Sequence, residues 1–173
     1  MSIFPTRILL ATDGSEEAEL ALKTAVDLAD CTESELHVVT AAHEYYPASF
    51  EAPTTGRLLD EARRAIEREA REVLDGQVEK IEESGGTVAE AHLRTGGHRD
   101  REIVRVGEEI GAGLIVMGSR GLGGLRRALM GSVSDSVVRH AHCPVLVVRP
   151  DKSVNDHTRS WPRMLAARSG RSG

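Results

Sequence analysis

Aromatic side chains make up only 3% of the 173 residues, with a single tryptophan. The core therefore cannot rest on stacked rings and must be built from Val, Leu, Ile and Ala, the set that suits a parallel sheet covered by helices. Cysteine is also scarce. Cys31 and Cys143 allow one disulfide at most, which excludes a disulfide scaffold; with no signal peptide at the start, reduced thiols and a cytoplasmic location are expected. No apolar run approaches the roughly 20 residues that cross a bilayer, so no membrane span is expected. Positive charge is in deficit as well. The net charge is −5, and because residues 151–173 hold five Lys/Arg against Asp151 and Asp156, residues 1–150 carry −8. An acidic body of this kind argues against general nucleic-acid binding. Nor does Gly-Lys-Ser/Thr occur anywhere, which removes the P-loop. The length fits one domain with a substantial core.

What the chain does have is glycine in a particular place. Leu114 to Val138 reads LIVMGSRGLGGLRRALMGSVSDSVV: an apolar run, a glycine-rich turn, then a helix start. A buried strand over Leu114 to Met117 that stops at Gly118 delivers Gly118, Gly121, Gly123 and Gly124 to the carboxyl edge of a sheet, where open α/β sheets bind ligands. Glycines permit positive φ and carry no Cβ, so the backbone can approach an anion closely. Nine residues then separate Gly121 from Gly131-Ser132-Val133-Ser134, a helix start with Ser132 or Ser134 as cap, its N–H groups aimed back at the same place. Two nests of backbone donors facing one cleft suit a phosphate chain. The NAD fingerprint does not apply, because G-x-G-x-x-G begun at Gly121 would require glycine at Arg126.

Taken in order, Arg7 to Thr12 (RILLAT) is an apolar run too short for a helix, hence a buried first strand. Asp13-Gly14-Ser15 turns the chain, Ser15 caps, and Glu16 and Glu17 suit the positive end of a helix reaching about Asp30. Glu35 to Ala42 is the second strand. His43 to Gly56 has no clear period and reads as a loop over the cleft mouth, where Tyr45 and Tyr46 either cover a ligand or, as favoured, pack within the loop. Leu58 to Ser84 is a long amphipathic helix with Leu59, Ala62, Ile66, Ala70, Val73, Gln77 and Ile81 on one face and a charged, solvated face opposite. Thr87 to Leu93 alternates as a third strand. His98 and Arg99 open a third helix that ends at Gly111, placed either towards the phosphates or towards solvent. After the glycine stretch a helix runs to about Arg139, and Val145 to Val148 makes the last strand. Two imidazoles and a thiolate in His140-Ala141-His142-Cys143 invite a zinc reading. A tetrahedral site needs more, and no second Cys/His cluster with metal spacing exists. Five strands alternating with helices give an α/β, doubly wound parallel sheet with helices on both faces, a single domain over residues 1–150. Residues 151–173, rich in Ser, Arg and Gly, are expected to be a basic disordered tail.

The spacing G-x2-G-x9-G-S at Gly118, Gly121, Gly131 and Ser132, with ILLATDGSEEAELAL at the front and RHAHCPVLVVRP at the end, resembles the ATP-binding branch of the universal stress protein family over nearly all of residues 5–150. The resemblance implies strand order 3-2-1-4-5, the adenine-nucleotide alpha-hydrolase-like arrangement, and a homodimer made by pairing the last edge strands, Val145 to Val148. It implies ATP with Mg2+ or Mn2+ as the ligand. Asp13 would face the ribose and the metal, Ala11 would stand in the cleft wall where the family often has proline, and Thr40 or Ala41 would meet adenine largely through the main chain. Met117, Gly118, Ser119, Arg120, Gly121, Leu122 and Gly123 would meet the phosphates from one side and Gly131, Ser132, Val133 and Ser134 from the other. The family's R-H-A-x-C-P linker also puts His142 at a variable position, against the zinc reading. The function implied is that of a nucleotide-dependent stress-response regulator with at most weak hydrolysis. The competing class is an ATPase or a phosphoryl or nucleotidyl transferase. For that chemistry only Asp13, Arg120, Arg126 and Arg127 are candidates, and no lysine lies in the loop.

Overall fold

Ile8, Leu9 and Leu10 are each fully buried, although successive residues of a strand point to opposite faces. The strand they form, β1 (Arg7–Ala11), is therefore covered on both sides. The computed structural model describes residues 3–43, 56–121 and 130–150. After β1 come α1 (Glu16–Thr32), β2 (Glu35–Ala42), α2 (Gly56–Glu83), β3 (Glu90–Thr95), α3 (Arg99–Ile110), β4 (Leu114–Gly118), α4 (Ser132–His140) and β5 (Val145–Val148). The strands form one five-stranded sheet in the order β3-β2-β1-β4-β5, and every pairing in it is parallel. This is the α/β doubly wound architecture expected from the alternation.

Each face has its own core. Ile8, Leu10, Leu36, Val38 and Val116 pack with Ala21, Leu22 and Ala25 of α1 and Leu74 and Ile81 of α2. Leu9, Ala11, Val39, Ile115 and Met117 pack on the other side with Ile103 and Val106 of α3 and Val137 of α4. A fully buried Leu or Ile contributes about 1.5–3 kcal/mol, against about 0–1 kcal/mol for an exposed ion pair such as Arg57–Glu61. The cores, not the charged surface of α2, hold the helices to the sheet. Gln77 sits in the apolar stripe of α2 yet is almost fully buried, because its side-chain oxygen accepts a hydrogen bond from the Thr12 hydroxyl at 3.0 Å. Leu74, also fully buried, belongs to the same stripe.

Several boundaries differ from the sequence reading, among them the ends of β1 at Ala11 and of β4 at Gly118. Helix α1 runs two residues past Asp30 and stops at Glu33, which takes the left-handed conformation (φ 54°). Strand β3 begins at Glu90 and not at Thr87. The ladder opens only after the Ala89 N–H meets the Leu36 carbonyl at 2.8 Å, and it continues to Thr95 because β2 supplies Ala41 and Ala42 as partners. Helix α2 begins at Gly56, two residues before Leu58. The tail of residues 151–173 and most of the loop before α2 lie outside the described residues. Among the described residues, no helix is long and apolar enough to cross a membrane.

One polar contact ties α3 to α4: the Ser136 hydroxyl donates to Asp100. That hydrogen bond holds the Asp100 carboxyl below its ordinary pKa, outweighing the opposing effect of burial. A carboxylate lowered in the folded state contributes stability that is fully present above its unfolded pKa and is lost as pH falls through the lowered value. Ser136→Ala should therefore move the Asp100 titration upward in carbon-detected NMR and shift acid unfolding to higher pH. An Asp100 midpoint unchanged by the substitution would contradict this assignment.

Candidate functional site

Parallel strands place all their carboxyl ends on one edge, and the chain leaves β1 towards β2 on one side but reaches β4 on the other. The reversal opens a crevice at that edge. There a cleft of about 510 Å3 lies between the turn after β1 and the segment after β4, within the range of about 300–1,000 Å3 usual for small-molecule sites. Its floor is Ala11, Ala41, Met117 and Gly118, with Ile103 of α3 on one wall. Asp13, Arg120 and Gly121 line one rim, and Gly131, Ser132, Val133, Ser134 and Asp135 the other. A second space of about 450 Å3 adjoins it, reached past Arg99, Ser132 and Val133, where the rings of His43 and His98 stand beside one another.

The two halves of the glycine motif meet at one carbonyl. The Ser119 oxygen accepts from the Gly131 N–H at 2.7 Å and from the Ser134 hydroxyl at 2.9 Å. The end of β4 and the start of α4 are thus joined across the nine residues between Gly121 and Gly131. Helix α4 opens with Gly131 as N-cap and no side-chain cap, so the free N–H groups and the positive dipole end of its first turn lie at the cleft rim. On the opposite side Glu17 holds the loop. Its carboxylate accepts from the Ser119 hydroxyl at 2.5 Å and lies 4.0 Å from the Arg120 guanidinium. Gly118 is required by the same contact, because a Cβ there would stand 2.9 Å from the Glu17 carbonyl carbon and 3.1 Å from the Ala18 nitrogen. At Gly121 a Cβ would run into the Asp13 carboxylate. Asp13 itself accepts from the Ser15 N–H at 3.1 Å, so it is at once a turn residue and part of the cleft rim.

Several expectations are corrected in detail. The motif glycines serve close approach and not positive φ: Gly131 has φ −72°, and neither Gly118 nor Gly121 is among the positive-φ glycines. Neither Ser132 nor Ser134 caps α4, since that position is Gly131 and the Ser134 hydroxyl is turned to the Ser119 and Gly131 carbonyls. The Ser119 side chain is buried against Glu17 and does not line the cleft. Thr40 is buried too, whereas its neighbour Ala41 reaches the cleft floor. Leu122, Gly123, Gly124, Arg126 and Arg127 lie outside the described residues, as do Tyr45 and Tyr46. Of the two placements open for the start of α3, Arg99 lines the cleft. Sequence reading took Glu17 only as a helix-dipole partner and did not single out Asp135, which lines the cleft and pairs with Arg139 at 3.0 Å.

The zinc reading of the last linker finds other partners. His142 Nε2 lies 3.0 Å from the Ala112 carbonyl and His140 Nδ1 2.8 Å from the Ser136 carbonyl, while burial pushes the Cys143 thiol up. Among the described residues the one group of three His, Cys, Asp or Glu side chains close enough together to share a metal ion is elsewhere, at His37, Glu90 and His92. No spacing in the sequence announces it, because the pairing of β2 with β3 assembles it.

The model of the "Universal stress protein family" matches residues 5–149. The chain is 34% identical over 155 residues to the universal stress protein YxiE of Bacillus subtilis, covering 83% of this chain and 98% of that one. Among solved structures it is similar to the protein MJ0577, with a TM-score of 0.72 and 28% identity over 88% of this chain and 100% of the other. It is similar also to a universal stress protein from Archaeoglobus fulgidus in complex with dAMP, with a TM-score of 0.57 and 28% identity over 85% and 99% of the two chains. Strand order, the joined glycine segments and a match across almost the whole described chain lead to one conclusion: the chain belongs to the universal stress protein family.

Proposed function

We propose that the chain binds an adenine nucleotide, ATP with Mg2+ or Mn2+, in the cleft between β1 and β4, and acts as a cytoplasmic, nucleotide-dependent regulator in a stress response. The observation that carries this reading is the Ser119 carbonyl holding the uncapped first turn of α4 opposite Gly121. Backbone N–H groups so gathered suit phosphate oxygens, and charge-assisted hydrogen bonds of this kind are worth about 1.5–3 kcal/mol each. Arg99 and Arg120 add positive charge at the rim. The apolar floor of Ala11, Ala41 and Met117 suits a base, and the dAMP complex of the Archaeoglobus fulgidus relative supports adenine. A bound cation would neutralise phosphate charge, and Asp13, oriented by the Ser15 N–H, is a carboxylate at the rim able to hold it. Arg120 is drawn towards Glu17, which favours holding a nucleotide over driving transfer of its terminal phosphate.

A homodimer through β5 is part of this reading. β5 is an edge strand, with Leu146 among the exposed apolar side chains. The Pro144 and Val148 carbonyls accept from Ile115 and Ser119, so the two-residue alternation of a parallel ladder turns the main-chain groups of Val145 and Val147 outward. An apolar edge without a charged guard invites pairing with a second copy.

Gly121→Val should weaken ATP binding at least tenfold, about 1.4 kcal/mol, while the circular dichroism spectrum is retained; normal binding by the variant would reduce the loop to a connecting turn. Wild-type turnover should stay far below the roughly 1–100 s−1 of kinases, and a rate within that range would replace the regulatory reading by an enzymatic one. Asp13→Ala should weaken MgATP binding more than metal-free ATP binding in calorimetry, and equal losses would leave Asp13 with its turn role alone. In sedimentation velocity Val147→Pro, which removes an outward donor, should yield monomer from a dimeric wild type. A monomeric wild type at micromolar concentration would refute the β5 interface.

A further inference from the structure

At the opposite end of the sheet, β2 and β3 bring together side chains that the nucleotide cleft does not use. The register places His37 beside Glu90 and Val39 beside His92, so Glu35, His37, Glu90 and His92 project from the same face of two adjacent strands. Both imidazoles are buried, at 7% exposure each. His37 Nδ1 lies 3.3 Å from His92 Nε2, and Glu90 Oε2 lies 3.9 Å from His92 Nε2. On its far side His37 Nε2 is buried without a hydrogen-bond partner, 3.8 Å from Glu35 Oε2. Neighbouring charges are already matched: Arg7 pairs with Glu35 at 3.0 Å and Arg94 with Glu109 of α3 at 2.6 Å.

We propose that His37 Nδ1, His92 Nε2 and the Glu90 carboxylate form a binding site for a divalent transition metal of the zinc class, with Glu35 as the carboxylate that orients His37 from behind. Two nitrogens bound tetrahedrally at about 2.0–2.1 Å from zinc stand roughly 3.3–3.4 Å apart, the separation already present here. Two imidazoles and one carboxylate suit zinc, nickel or copper over calcium or magnesium, which prefer all-oxygen sets. The exposed Glu90 carboxylate closes the remaining distance by rotating its side chain, leaving a fourth position for water. Ligation through Nδ1 also accounts for the orphan on His37. It leaves Nε2 as an N–H donor facing Glu35, the carboxylate–histidine–metal relay that fixes ring orientation in metal sites. A metal here would clip edge strand β3 to β2, at the end of the sheet away from the nucleotide.

The full-length protein, stripped with a chelator and free of nucleotide, would be titrated with zinc chloride against a chromophoric zinc indicator. One equivalent should bind, and imidazole nitrogen NMR should show His37 Nδ1 and His92 Nε2 shifting on addition. Glu90→Gln, at an exposed position, and His92→Gln should each weaken binding at least tenfold, whereas a variant with His140→Gln, His142→Gln and Cys143→Ser should bind as wild type does. If His92→Gln fails to fold, the Glu90→Gln titration and the wild-type imidazole shifts decide the matter by themselves. The site is refuted if no stoichiometric zinc binds. It is refuted equally if binding survives Glu90→Gln with the two imidazoles unshifted, or if it follows the His140–Cys143 substitutions.

Discussion

Burial of both faces of β1 is the constraint from which the remaining architecture follows. Ile8 and Leu10 need one apolar layer and Leu9 and Ala11 another, and a strand in that position must be central, parallel to its neighbours and reached by helical crossovers. Once β2 and β4 flank it, every strand ends at the same edge. The Asp13 turn and the glycine segment then have to face each other, because they are the exits of adjacent strands. The site is a consequence of how the core is covered.

Within that site the Ser119 carbonyl concentrates the organisation. A single acceptor with two lone pairs takes the Gly131 N–H and the Ser134 hydroxyl, while the side chain of the same residue is held by Glu17. Three elements, α1, β4 and α4, are thereby tied at one residue. The arrangement leaves the first-turn N–H groups of α4 unclaimed by any side-chain cap. A serine or aspartate at the cap could have satisfied one of those donors internally; glycine at position 131 has no side chain to do so.

The sheet also has a polar end. Where the carboxyl edge gathers backbone donors, the amino-terminal end of β2 and β3 gathers imidazole and carboxylate on one face, with His37 and His92 both buried. Buried polar groups require partners, and the missing partner of His37 Nε2 distinguishes this cluster from Gln77 and Thr12, which satisfy one another.

Much of this was legible from residue order alone. Short apolar runs, the glycine at 111 that ends α3 and the Gly118–Gly121–Gly131 spacing determined the strand and helix succession, the limits of β2 and β5 and the place of the candidate cleft, because these signals are local and periodic. What the tertiary structure decided is everything that depends on which strands are neighbours. The start of β3 was set by where β2 offers a free carbonyl, the role of Glu17 by the approach of Gly118 to α1, and the choice of Arg99 over solvent by α3 lying against the cleft. The His37–His92 pair is the clearest instance. These residues are 55 positions apart, and no local pattern encodes the register that sets them side by side, because register is a property of two strands and the cores that bury them.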